Sequence, residues 1–324
     1  MTGFERILVT RTPLAFILRK SKHWYLPGFE GVPLYDVGLF FYGQVKTVGI
    51  TERAQAIAYN FIMAIPPSFL FLFTLIPHLP LIKKKDILNQ LRLILKDIIP
   101  AEPFNSNIIK FIDDTFFKTP VFGLLSFGLL LALFFASNAM MGLMRSFNKN
   151  YIGFIKRKGW HDRLVAIRLT VLIFGLLLGC LILLISQGAA LKLFGLKSKF
   201  WIELIFYLRW VFIIALIYFS IAFIYKYAPA VHKRWTLISP GTILATFLCI
   251  VATYGFSVFV NNFGKYNALY GSIGTIIVLM VLIYINSLAL LIGFELNVSI
   301  KSLRSIAVKR EEKEKSAVAS QKNT

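Results

Sequence analysis

The sequence predicts an all-α, polytopic membrane protein with six transmembrane helices. Three observations carry this. Of the 324 residues, 57% are hydrophobic and only 16% charged, with a mean hydropathy of +0.70. The apolar residues gather into six long runs. Lys and Arg gather in alternate connections between those runs. A soluble domain of this size has too little interior for so much apolar surface, so the bilayer must act as solvent. The net charge of +21 does not point to nucleic acid, because the basic residues flank apolar runs as anchors on anionic lipid do.

The first 50 residues read as a cytoplasmic or interfacial segment. Leu14–Leu18 is too short for the apolar region of a signal peptide, and Arg11 and Arg19 bracket it. Trp24, Tyr25, Phe29, Tyr35, Phe40, Phe41 and Tyr42 follow among Gly and Pro, a pattern suited to the membrane interface.

Residues 51–300 form the transmembrane domain. The first span covers 54–79, entered through Glu52 and Arg53, with Asn60 in its second turn and Pro66 and Pro67 at its middle. Two prolines there forfeit backbone hydrogen bonds that lipid cannot replace, which predicts a broken helix turned toward the bundle interior. Five more spans follow at 121–144, 167–191, 201–225, 240–260 and 271–298. At about 1.5 Å per residue each can cross a hydrocarbon core of about 30 Å.

The connection 81–119 carries Ile87, Leu88, Leu91, Leu95 and Ile98 at helical spacing, closed by Pro100 and Pro103. It predicts amphipathic extracytoplasmic helices, lying over the mouth of the bundle or offering a docking surface to a periplasmic partner. The second and fourth connections are rich in Lys and Arg and the third and fifth sparse, which places both termini in the cytoplasm. The tail 301–324 is rich in Lys, Glu and Ser and reads as disordered. Cys180 and Cys249 fall inside spans and read as small apolar fillers.

The motifs now stand in order. Arg53-Ala-Gln-Ala-Ile-Ala-Tyr59 leads into the first span, and Trp160-x-x-Arg163-Leu164 precedes the third. Tyr225-Lys-Tyr-Ala-Pro229 closes the fourth, while Trp235 and Pro240-Gly241 open the fifth. Leu269-Tyr270-Gly271-Ser-Ile-Gly274 starts the last span and Gly293-Phe-Glu-Leu-Asn297 ends it. Together they resemble the YihY/virulence factor BrkB family of bacterial inner-membrane proteins, over residues 45–300. The resemblance implies a six-span protein of the cytoplasmic membrane whose molecular activity is unsettled.

Some members of that family carry the label ribonuclease BN, which this sequence does not support. His23, His78, His161 and His232 are scattered, and no His-x-His-x-Asp-His run, His-Glu-x-x-His, Gly-x-Ser-x-Gly or Walker loop is present. No metal or cofactor is expected, and the chain reads as a non-enzyme.

Function must then lie with polar groups inside the spans. Arg209, in the fourth span, either snorkels or pairs, or faces a cavity and receives an anion such as a lipid phosphate. Asn60, Pro66, Pro67, Asn138 and Asn286 are the other candidates for a substrate path. Glu295, near the cytoplasmic end of the last span, reads as a structural ion pair with Arg53 or Arg163 rather than a proton-coupling carboxylate. Gly175-Leu-Leu-Leu-Gly179 reads as a helix-packing pattern. Two functions are expected. One is an envelope transporter or flippase-like protein for an anionic lipid or lipid-linked molecule. The alternative is a non-transporting scaffold that recruits periplasmic envelope proteins through 81–119.

Overall fold

The computed structural model describes Lys22 and residues 24–47, 49–75, 122–148, 159–193, 199–231, 234–262 and 266–322, with Asn89, Leu93, Lys110, Tyr151, Phe154 and Ile155 between them. The described residues form helices α1 (Leu34–Thr47), α2 (Ile50–Leu75), α3 (Phe122–Phe147), α4 (Gly159–Leu193), α5 (Lys199–Tyr227), α6 (Pro240–Asn262) and α7 (Tyr266–Lys322). Their only strand-like pairing is a single antiparallel bridge, Phe154 to Val231. The amphipathic helices expected over 81–119 lie outside the described residues, apart from Asn89, Leu93 and Lys110.

Five of these helices, α3 to α7, hold stretches long and apolar enough to cross a membrane. Helix α2 has comparable length, 26 residues, and is not among the five. Glu52, Arg53, Gln55 and Asn60 make its first turns more polar than the others.

Helix α2 also corrects an expectation. Pro66 and Pro67 remove the N–H groups that would meet the carbonyls of Ile62 and Met63. The helix nevertheless runs unbroken through both. Two missing bonds leave the ladder intact on either side, and buried Ala54, Ile57, Ala58, Ala64 and Phe71 hold the axis against its neighbours. Pro66 is exposed and Pro67 half-buried, so the pair does not turn inward as expected.

The tail brings a second correction. Instead of becoming disordered after residue 300, α7 continues to Lys322, for 57 residues in all. At about 1.5 Å per residue it far exceeds a hydrocarbon core of about 30 Å. Its polar end is built largely from good helix formers.

Among the described residues, the helices meet closely at the end of the bundle where α2, α4 and α6 begin and α3 and α5 finish. There Phe294 of α7 stacks on Phe147, with ring centroids 3.9 Å apart and planes within 4°. Tyr151, Phe154, Tyr225 and Trp235 surround the same ring at centroid distances of 5.4–6.5 Å. These rings draw on α3, α5, α7 and both nearby connections, so one phenylalanine ties the layer together. At the same end Phe29, Val32 and Val37 pack on Ile300, and Glu30 pairs with Lys301. The described N-terminal segment therefore lies beside the polar extension of α7.

Candidate functional site

The crossing of α6 and α7 shows how local sequence builds this end. Ser239 caps α6: its Oγ accepts the Thr242 N–H at 3.3 Å and its carbonyl accepts the Ile243 N–H at 3.1 Å. Pro240 follows at the first helical position, where a missing N–H costs nothing. Gly241 donates its N–H to Asn297 Oδ1 at 2.9 Å, and Asn297 Nδ2 donates to Ser239 Oγ at 2.9 Å. The α6 start is thus satisfied from α7.

Two residues before Asn297, about half a turn away and so on a different face of α7, Glu295 belongs to a buried charge cluster. Arg53, 5% exposed, meets Glu295, 0% exposed, with Nη1 to Oε1 at 2.5 Å. Arg53 Nη2 donates to the Ser146 carbonyl at the end of α3, also at 2.5 Å. Tyr151, in the connection after α3, donates its hydroxyl to the same Glu295 oxygen at 2.6 Å. Arg53 Nη1 reaches the Tyr151 oxygen at 3.2 Å. Burial, followed by the Glu295 charge and the hydrogen bond to it, holds the Tyr151 phenol well above its usual range, so it remains a donor. Arg53 Nε and Glu295 Oε2 are buried without a hydrogen-bond partner among the described residues.

This arrangement joins α2, α3, α7 and the connection after α3 through one carboxylate. Among the described residues no three His, Cys, Asp or Glu side chains come together as a metal site would require.

The remaining sequence candidates are dispersed. Arg163 does not reach Glu295; its Nη1 donates to Asn138 Oδ1 at 2.5 Å, joining α4 to α3, and its guanidinium lies over the Phe134 ring. The amide of Asn60 donates to Ala56 of its own helix at 2.7 Å and packs against Gly142 of α3. Asn286 exchanges contacts of 3.3–3.4 Å with Thr253 of α6. Arg209 is buried in α5. The three amides thus sit between different helix pairs and do not converge on one path.

The motif residues fall in several different surroundings. Gly241, Gly293 and Asn297 form the α6–α7 crossing, and Pro229 lies in the buried turn after α5. Tyr59 and Trp160 are exposed, Trp160 by 84%, as befits aromatics at a membrane interface. Tyr270 and Gly271 lie on the first turns of α7. Cys180 and Cys249 are buried and unbridged. Sequence reasoning missed Tyr151, whose only signal is an aromatic residue in a basic connection, and Ser239, which the Ser-Pro-Gly-Thr run could have revealed as a helix cap.

The chain is similar to known proteins. The chain is 31% identical over 251 residues to the ribonuclease-like protein YfkH of Bacillus subtilis, covering 76% of this chain and 88% of that protein. It is 25% identical over 295 residues to a UPF0761 membrane protein of Tolumonas auensis, covering 89% and 92% respectively. Over 119 residues, 37% of this chain and 40% of the relative, it is 32% identical to a UPF0761 membrane protein of Aeromonas salmonicida. No solved structure matches. The family model described as Virulence factor BrkB matches residues 41–319, a stretch that takes in the Arg53–Glu295 cluster, the α6–α7 crossing and all five apolar helices, and the chain belongs to that family.

Proposed function

We propose that this chain is a six-span protein of the bacterial cytoplasmic membrane, with α2 as its first span and both termini cytoplasmic, that moves an anionic lipid or lipid-linked molecule. The observation that carries the reading is Arg209, buried in α5 within an otherwise apolar stretch. A charged side chain placed within a span costs about 2.5–3.5 kcal/mol on insertion scales, and such residues mark ligand and ion pathways. A guanidinium is suited to phosphate because it offers paired donors in a fixed plane. The buried Arg53–Glu295 pair is assigned a structural role, holding the helix ends while the apolar length of the bundle meets lipid.

The test is reconstitution of the full chain in vesicles of phosphatidylglycerol and phosphatidylcholine, with transbilayer movement of a labelled anionic lipid as the readout. Arg209→Lys should retain part of the movement, and Arg209→Ala should lose most of it. Movement that is equal in all three proteins would remove Arg209 from the mechanism. Absence of movement, with one periplasmic protein captured by crosslinks from 81–119, would favour a scaffold instead.

A further inference from the structure

Helices α4 and α5 are consecutive and antiparallel, and between them runs a groove open on the outer side of the bundle. Its walls are Leu172, Leu176 and Leu183 from α4 and Phe212, Phe219 and Phe223 from α5, around a volume of about 470 Å³. The floor on the α4 side is bare. Gly175 and Gly179 are exposed, and a Cβ at either would meet no heavy atom within 4 Å. The spacing Gly-x-x-x-Gly predicts a close helix contact here; the structure shows open space instead.

At Leu172 this groove joins a second hollow of about 260 Å³, lined by Arg168, Tyr227 and Arg234. Arg168 and Arg234 are both exposed. The Arg234 guanidinium lies 5.2 Å from the Tyr227 ring centre, and Lys226 lies 5.5 Å from it. The composite therefore has a basic, aromatic-backed head and an apolar trough.

Its length is informative. From Leu172 to Leu183 the helix rises about 16 Å at 1.5 Å per residue, which is half of a hydrocarbon core of about 30 Å. The trough thus matches the depth of one leaflet. Arg168 lies one turn further along α4, toward the start of that helix.

We propose that this groove binds one anionic phospholipid, with its phosphate on Arg168 and Arg234 and an acyl chain along Gly175, Gly179 and Leu183. The occupant is committed by charge and shape together: a guanidinium pair pairs with phosphate, and an apolar trough floored by two glycines and about as long as one leaflet accepts a chain. The site deepens the proposed function, on which it rests for its role, by naming where the lipid docks before or after movement. Its occupancy, however, is measurable without any transport.

The experiment uses the full-length chain in nanodiscs, with phosphatidylglycerol and phosphatidylcholine of identical acyl chains as competing probes, and counts retained lipid by native mass spectrometry. Wild-type protein should retain phosphatidylglycerol in preference. The double variant Arg168→Gln, Arg234→Gln should lower that preference about tenfold, in line with loss of charge-assisted hydrogen bonds. The double Lys variant should restore part of it. Gly175→Leu and Gly179→Leu project into open space, so the fold should survive, checked by circular dichroism and gel filtration, while retention of both lipids falls. An unchanged preference in the Gln variant, unchanged retention in the Leu variants, or equal displacement by soluble glycerol phosphate would each overturn the site. Lipid retention without transbilayer movement would overturn the transport reading and leave the site standing.

Discussion

Gly241 and Gly293 face each other across the α6–α7 crossing so closely that a Cβ on either would overlap the carbonyl oxygen of the other. The Tyr225 hydroxyl closes the same space, 2.8 Å from a Cβ at Gly293, and donates to the Leu290 carbonyl at 2.5 Å. The contact is backbone to backbone, which explains why the cap from Asn297 can reach Ser239.

Gly293→Ala and Gly241→Ala should therefore destabilise the bundle by at least the about 1–3 kcal/mol typical of overpacking, since no flexible side chain can move aside. Gly175→Ala, in open space, should leave stability within about 0.5 kcal/mol of wild type or raise it. Thermal unfolding of the three variants in one detergent checks the order. Equal melting temperatures would contradict the geometry.

Much of this architecture is written plainly in the chain. Apolar runs of more than twenty residues leave little choice of element, and α3 and α6 start within one residue of the boundaries read from sequence. Arg53, Arg163 and Glu295 lie at the same end of the bundle, as helix direction requires; that Arg53 rather than Arg163 meets Glu295 follows from the packing of α2 against α7, while Arg163 turns to Asn138. What sequence conceals is the absence of a side chain. Gly175 and Gly179 open a groove while Gly241 and Gly293 close a contact, and the letters are the same in both. Tyr151 was hidden because a connection has no periodicity to fix where its side chain points. The proline pair misled for a different reason: its lost hydrogen bonds are local, whereas the continuity of α2 is fixed by burial along its whole length.

Helix α2 carries two prolines in its interior, each about 3 kcal/mol less favourable than alanine in an isolated helix. Pro66 is exposed, so replacing it removes no core packing. Pro66→Ala restores an N–H to the Ile62 carbonyl and should raise the melting temperature in detergent. A lower melting temperature would show that the local shape imposed by Pro66 is needed by the bundle.

The pH response of the cluster should report on Tyr151. Its phenol is held above its ordinary value of 10.0 by burial and by the Glu295 charge. A group whose pKa rises on folding contributes stability in full below its unfolded pKa, and that contribution fades as pH rises above it. Wild type should therefore be more stable than Tyr151→Phe near neutrality, and the gap should shrink as pH climbs past about 10. Paired unfolding curves of the two proteins across the alkaline range give the measurement. A gap that stayed constant would mean that the hydroxyl does not titrate differently in the folded chain.

The Arg53–Glu295 pair offers the clearest separation of structure from mechanism. Removing one partner leaves the other charge buried, which typically costs about 3–5 kcal/mol. Replacing both by apolar residues of similar volume is often neutral or stabilising, because neither desolvated charge remains. Arg53→Met and Glu295→Met should each sharply lower the melting temperature, and the double variant should recover most of the loss. With Arg53 absent, the Ser146 carbonyl and Tyr151 hydroxyl each lose a donor, so recovery should fall short of complete. If the double variant is stable and still moves lipid in vesicles, the pair is a structural clamp. If it is stable but inactive, Glu295 takes part in the transport cycle, and the structural assignment fails.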